Sequence, residues 1–227
     1  MKQKFTILFD LDGTLVDTAP DLMLAHNHVM KKFGYPTKST EDIRNLVGKG
    51  AGALIGRSIW GQAKKEFNKV LDTKIKDEMV KEFVNFYGKN IVNESTLVTG
   101  VKDFLIWCKE QNISMAVCTN KQEHLSNDLL KKIGIYDFFE YVAGSDTFDY
   151  CKPDPRHLTN VVEILDGDVK KTIMIGDSET DANAAKAAEI PVILLENGYT
   201  EKNTTEIYHN HLIKDFIGIE KIISKYL

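Results

Sequence analysis

The sequence predicts an α/β fold, a mostly parallel sheet with helices on both faces, carrying an all-helical insertion. Three observations predict it. Short apolar runs recur at 5–9, 113–118, 141–143, 173–175 and 192–195, segments of helical periodicity separate most of them, and the stretch between the first two runs is unusually long. Strand alternating with helix implies parallel pairing and two covered faces. Ligands of such sheets bind beyond the carboxyl ends of the strands, which here hold Asp10, Thr119 and Asp177.

The first run ends in Phe9-Asp10-Leu11-Asp12-Gly13-Thr14. A strand-helix-strand unit takes only about 30 residues, so the longer stretch between the first and second runs contains an insertion. From 21 to about 90 the periodicity is helical: Leu22, Ala25, His26, Val29, Met30 and Phe33 mark one face, and Met79, Val80, Phe83, Phe86 and Tyr87 another. Pro20 and Gly34 bracket the first of these helices. The expected division is a core of residues 1–17 and 96–227 and a helical cap of 18–95, with polar hinges near 16–20 and 93–100. The second run ends in Cys118-Thr119-Asn120, and the third leads to Lys152-Pro153 and a helix starting near Pro155. The fourth ends in Gly176-Asp177-Ser178-Glu179-Thr180-Asp181, with Ser178 placed to cap the next helix. Beyond the fifth run, Gly198 opens a polar loop, 211–213 reads as an edge strand and about 217–226 as a final helix.

With 227 residues, 43% of them hydrophobic, the chain can bury a sizeable core. A net charge of -4 gives no global pull toward nucleic acid or membrane, and neither is expected as a partner. Cys108, Cys118 and Cys151 are odd in number and lack zinc spacing, which suits reduced thiols and a cytoplasmic location. The opening apolar run is too short for a signal-peptide core, and no run reaches membrane-spanning length.

The strand-end residues suit phosphoryl transfer. A carboxylate can attack phosphorus and divide one hard displacement into two easier ones, and Asp10 is the first carboxylate after its strand. Asp12, two residues on, can protonate the leaving alkoxide and then take a proton from water, while Gly13 permits the turn that places both. Standing alone, this pair would read as turn formers. Mg²⁺ prefers oxygen ligands, and Asp10 with Asp177 are the natural pair, Asp181 acting directly or through water. Lys152 supplies a cation for phosphate and nucleophile, and Thr119 with the following amides and Asn120 can hold a phosphate oxygen, or cap the helix near Gln122.

In this order, Asp10-Leu11-Asp12-Gly13-Thr14, Thr119, Lys152 and Gly176 to Asp181 resemble the four motifs of the haloacid dehalogenase superfamily. The resemblance spans nearly the whole chain. It implies a Rossmann-like core, Mg²⁺ dependence, an aspartyl-phosphate intermediate on Asp10, Asp12 as acid and base, and the backbone carbonyl of Asp12 as a further metal ligand. Dehalogenases proper lack the second aspartate, so Asp12 points to phosphate chemistry. The segment Val47-Gly48-Lys49-Gly50-Ala51 resembles the glycine-rich specificity loop of phosphoglycolate phosphatases and their relatives. Gly48 and Gly50 can bring amides to an anionic substrate and Lys49 can pair with a carboxylate, although such a triplet is also an ordinary flexible turn. His26 and His28 read as polar surface or interface groups.

The expected activity is hydrolysis of a small phosphorylated metabolite, 2-phosphoglycolate foremost. A sugar-phosphate phosphatase and a β-phosphoglucomutase-like mutase share the core chemistry, and a phosphate-sensing or partner-binding module is the non-enzyme alternative. The sequence leaves monomer and homodimer open.

Overall fold

The structure, a computed structural model, describes residues 4–66 and 73–227. Residues 1–3 of the expected core and 67–72 of the expected insertion lie outside the described residues. Among the described residues a parallel sheet of six strands forms in the order β5-β4-β1-β6-β7-β8. These strands are β1 (Thr6–Phe9), β4 (Ser114–Cys118), β5 (Tyr141–Ala143), β6 (Thr172–Gly176), β7 (Val192–Leu195) and β8 (His211–Ile213). The expected edge strand is there, and each apolar run lies in the sheet.

The reason the strands read as unbroken apolar runs is visible in their packing. Side chains alternate between faces, and both faces are covered. Ile7 and Phe9 of β1, Met115 and Val117 of β4, and Ile173 and Ile175 of β6 join one buried cluster. Leu8, Ala116 and Met174 from the same strands join a second, on the opposite face. The first face is covered by α5 (Val101–Glu110), α6 (Glu123–Ile133) and α9 (Glu220–Ile223). The second is covered by α7 (Arg156–Ile164) and α8 (Glu179–Ala187). The final helix is shorter than the expected 217–226, because Gly218, at φ +79°, sits where α-helical geometry would be required.

Between β1 and β4 lie α1 (Ala19–Phe33), α2 (Thr40–Arg44), α3 (Ala51–Glu66) and α4 (Thr73–Lys89), with α4 packed on α1 and α3. The apolar face read for α1 is the buried one, and Gly34 ends that helix in a left-handed cap. Of the two readings for His26, surface or interface, the structure shows the interface: it is fully buried, its Nε2 2.8 Å from Ser58 Oγ of α3. His28 pairs with Glu82 across α1 and α4 at 2.7 Å.

The two chain crossings into the insertion are tied together, which the sequence did not announce. β2 (Val16–Asp17) and β3 (Thr96–Leu97) pair as a short antiparallel ladder. Beside it, the Asp21 carboxylate accepts from the N–H groups of Asn93, Glu94 and Ser95 and from Ser95 Oγ at 2.6–3.2 Å. One buried acid thereby satisfies the backbone donors of the returning strand. Among the described residues no helix is long and apolar enough to cross a membrane.

Candidate active site

The ends of β1, β4 and β6 converge, because parallel neighbours in register present their carboxyl ends to one crevice. Asp10 follows β1 directly, its N–H donating to Ile175 O of β6 at 2.9 Å. The chain then turns: the N–H groups of Leu15 and Val16 both donate to Leu11 O, at 3.0 and 3.1 Å. Gly13 makes this turn at φ +84°, and a Cβ there would collide with the Asp177 carboxylate and the Tyr199 ring.

Asp10, Asp177 and Asp181 each place a carboxylate oxygen within 4.8 Å of the others. Lys152 Nζ donates to Asp10 Oδ1 at 2.7 Å and to Asp181 Oδ1 at 2.6 Å. The other Asp181 oxygen accepts from Ser178 N–H and Oγ and from Asp177 N–H at 2.7–3.2 Å, so the aspartate holds the start of α8 and the lysine at once. Asp177 Oδ2 accepts from Tyr199 N–H at 2.6 Å, whereas its buried Oδ1 meets no hydrogen-bond partner among the described residues.

Three buried carboxylates thus gather beside one ammonium, which pairs with two of them. Burial pushes Asp10 up to about 6, with Lys152 pulling it back and Asp181 pushing it further. Burial, then Asp10 and Asp181, raise Asp177 well above the usual carboxylate range. Burial works against charge on Lys152, but Asp10 and Asp181 outweigh it and hold the amine above the ordinary lysine value. Excess negative charge, hard oxygen donors and an orphaned Asp177 oxygen fit a small divalent cation.

Asp12 is two residues from Asp10 and lines the same cavity, with hydrogen-bond partners of its own. It accepts from Thr18 Oγ1 at 2.7 Å and from Lys121 Nζ at 2.7 and 2.8 Å through its two oxygens. Thr119 is almost fully buried at the end of β4, its N–H donating to Ala143 O at 2.9 Å and its Oγ1 accepting from Lys121 N–H at 3.2 Å. The hydroxyl therefore shapes the turn into α6 as well as facing the crevice.

A cavity of about 310 Å³ opens above these groups, bounded by Asp10, Asp12, Thr119, Lys121, Tyr87 and the 48–52 loop. Asn120 joins the two sides, its Nδ2 donating to Lys152 O at 2.9 Å and to Gly48 O at 3.1 Å. Gly48 and Gly50 have φ +96° and +81°, and a Cβ on Gly50 would press on Asn120 O at 3.2 Å. Lys49 borders the same cavity but is exposed.

All ten residues singled out in the sequence border this crevice or its cluster. Two others were missed. Lys121, buried with its ammonium 4.5 Å from the Tyr87 ring centroid, had only its place after Thr119-Asn120 to signal it. Tyr199, fully buried in the loop after β7, donates its hydroxyl to Asp17 Oδ1 at 2.5 Å and accepts from Ala19 N–H at 2.8 Å. It connects Asp177 to the entrance of α1, and nothing local in Gly198-Tyr199-Thr200 announces that.

Comparison with known proteins agrees with this geometry. The model of the haloacid dehalogenase-like hydrolase family matches residues 7–195. A phosphoglycolate phosphatase of Mesorhizobium japonicum is 37% identical over 210 residues, 92% of this chain and 90% of that protein. One from Caulobacter vibrioides is 38% identical over 216 residues, covering 95% and 89%. The crystal structure of a predicted phosphoglycolate phosphatase from Haemophilus somnus superposes with a TM-score of 0.90 at 31% identity, over 98% of this chain and 99% of that one. A β-phosphoglucomutase from Clostridium difficile shares the fold, with a TM-score of 0.79 at 22% identity over 98% and 97% of the two chains.

Proposed function

The chain belongs to the haloacid dehalogenase-like hydrolase family and is a phosphatase, and we propose that it hydrolyses 2-phosphoglycolate through an aspartyl phosphate on Asp10. The observation that carries this reading is the joining of Lys152, Asp177 and Asp181 to Asp10, which with Asp12 and Thr119 lines a cavity. The acid substrate is supported by the relatives named above and by a cavity edged with lysines.

Asp10 attacks phosphorus, the bond to the ester oxygen breaks, and Asp12 supplies the proton that lets glycolate leave. Water then attacks the acyl phosphate, Asp12 takes its proton, and inorganic phosphate leaves with the Asp10 carboxylate restored. Lys152 offsets charge on Asp10 throughout, and its double pairing fixes the carboxylate's orientation before substrate arrives. Thr119 and the amides after it are placed to receive phosphate oxygens. Asp10, Asp177 and the Asp12 carbonyl would hold Mg²⁺, with Asp181 behind them. Bound there, the ion supplies charge neutralisation for the approach of a phosphate dianion. The residues 18–95 act in this reading as a cap that shields the reaction from bulk water.

The test is phosphate release from 2-phosphoglycolate by purified protein with and without Mg²⁺, beside Asp10→Asn. Turnover that requires the ion and falls at least about 10⁴-fold in the variant is expected. A variant as fast as the parent would remove Asp10 from the nucleophile's role.

A further inference from the structure

We propose that Lys121 is the receptor for the substrate's carboxylate, and that it binds this group by exchanging it for Asp12. The proposal rests on the reading of the substrate as a small phosphorylated acid.

The position follows from the chemistry of the ester. In 2-phosphoglycolate one methylene separates the ester oxygen from the carboxylate. The ester oxygen must lie within hydrogen-bond reach of Asp12, which protonates it. Lys121 Nζ is itself 2.7 and 2.8 Å from the two Asp12 oxygens, and both residues line the cavity. A cation one hydrogen bond beyond the proton donor is where a carboxylate one carbon beyond the ester oxygen will fall.

The other cations at the cavity are less suited. Lys152 is committed to Asp10 and Asp181 at the phosphoryl end. Lys49 is exposed to water, where an ion pair gains little. Lys121 is only 8% exposed, and its ammonium lies against the Tyr87 ring face. Burial strengthens any pairing it makes, and the ring restricts where the ammonium can point. An ammonium has three donors, and here two reach oxygens of a single carboxylate.

The exchange supplies selectivity as well as binding. While Lys121 and Thr18 both hold Asp12, both of its carboxylate oxygens are engaged. A substrate carboxylate replaces one of those ties like for like and leaves Asp12 free to face the ester oxygen. An ester with no carboxylate offers nothing in exchange.

Ethyl phosphate keeps the ester and the carbon count of 2-phosphoglycolate and lacks only its carboxylate, so the pair measures that group alone. The readout is the ratio of kcat/KM for 2-phosphoglycolate to kcat/KM for ethyl phosphate, with Mg²⁺ present, in the parent, Lys121→Met, Lys121→Arg and Lys49→Met. Lys121→Met is expected to lower the ratio about 30- to 100-fold, the weight of a charge-assisted pair. Lys121→Arg keeps the charge and is expected to retain most of the ratio, which shows that the loss is not one of folding. A parent ratio near one overturns the acid-substrate reading, and this proposal with it. A high parent ratio that survives in Lys121→Met, or collapses in Lys49→Met instead, overturns the Lys121 assignment alone.

Discussion

The floor and the roof of the crevice are built on different principles. At the floor, Asp10, Lys152, Asp177 and Asp181 are buried at strand and helix ends and locked by hydrogen bonds of 2.6–3.2 Å. At the roof, Gly48, Lys49 and Gly50 form a loop whose two glycines take left-handed backbone and which is joined to the floor by the Asn120 side chain. The floor accepts the desolvation of several charges in return for fixed geometry, whereas the roof keeps its charge in water and its backbone adaptable.

Removing the floor's cation is the strongest way to break that contrast. Lys152→Met leaves Asp10 and Asp181 facing each other without compensation, and a loss of stability of about 3–5 kcal/mol is expected for a buried pair broken on one side. Thermal unfolding without added metal measures it. A melting point within about 2 °C of the parent would show that the floor is less dry than its geometry implies.

Metal addition sharpens the same point with an intermediate effect. Saturation to about 100 times Kd stabilises a native state by about 2.7 kcal/mol, or roughly 5–10 °C in a chain of this size. The parent is expected to show a rise of that order with Mg²⁺. Asp177→Asn, which removes one charge at the orphaned oxygen, is expected to lose most of it. An undiminished rise in that variant would place the ion elsewhere.

The smallest effect belongs to the tie between the two regions. Asn120→Ala cuts the bonds to Gly48 O and Lys152 O, each worth about 1 kcal/mol. KM for 2-phosphoglycolate is expected to rise about fivefold or more, with kcat lowered less, as measured by initial rates. A fall in kcat alone would mean that Asn120 serves the floor rather than the roof.

The two regions also differed in how readable they were. Asp10, Thr119 and Asp177 each follow an apolar run by one or two positions, so alternation and strand ends located them without reference to anything distant. The roof offers only glycines around a lysine, and that local cue is what singles out Lys49 in the sequence, where nothing comparable marks Lys121. Lys121 lies in the turn between β4 and α6, and its importance depends on Asp12 and Tyr87, which are far away in the chain. The same holds for Asp21 and Tyr199: each looks ordinary among its sequence neighbours and bonds a group more than 70 residues distant, Ser95 and Asp17 respectively. The final helix was read too long for a local reason, since the left-handed Gly218 sits inside an otherwise helical pattern.

By itself the sequence determined the parallel sheet, the helical insertion and the acids at the strand ends, because side-chain periodicity and strand-terminal position are properties of short segments. Only the tertiary structure decided which cation meets which carboxylate, and that the two crossings into the insertion are clasped by Asp21. Those pairings are set by where packed elements bring side chains in space, and ionic and hydrogen-bond energies depend on that separation and on burial, neither of which a linear order of residues contains.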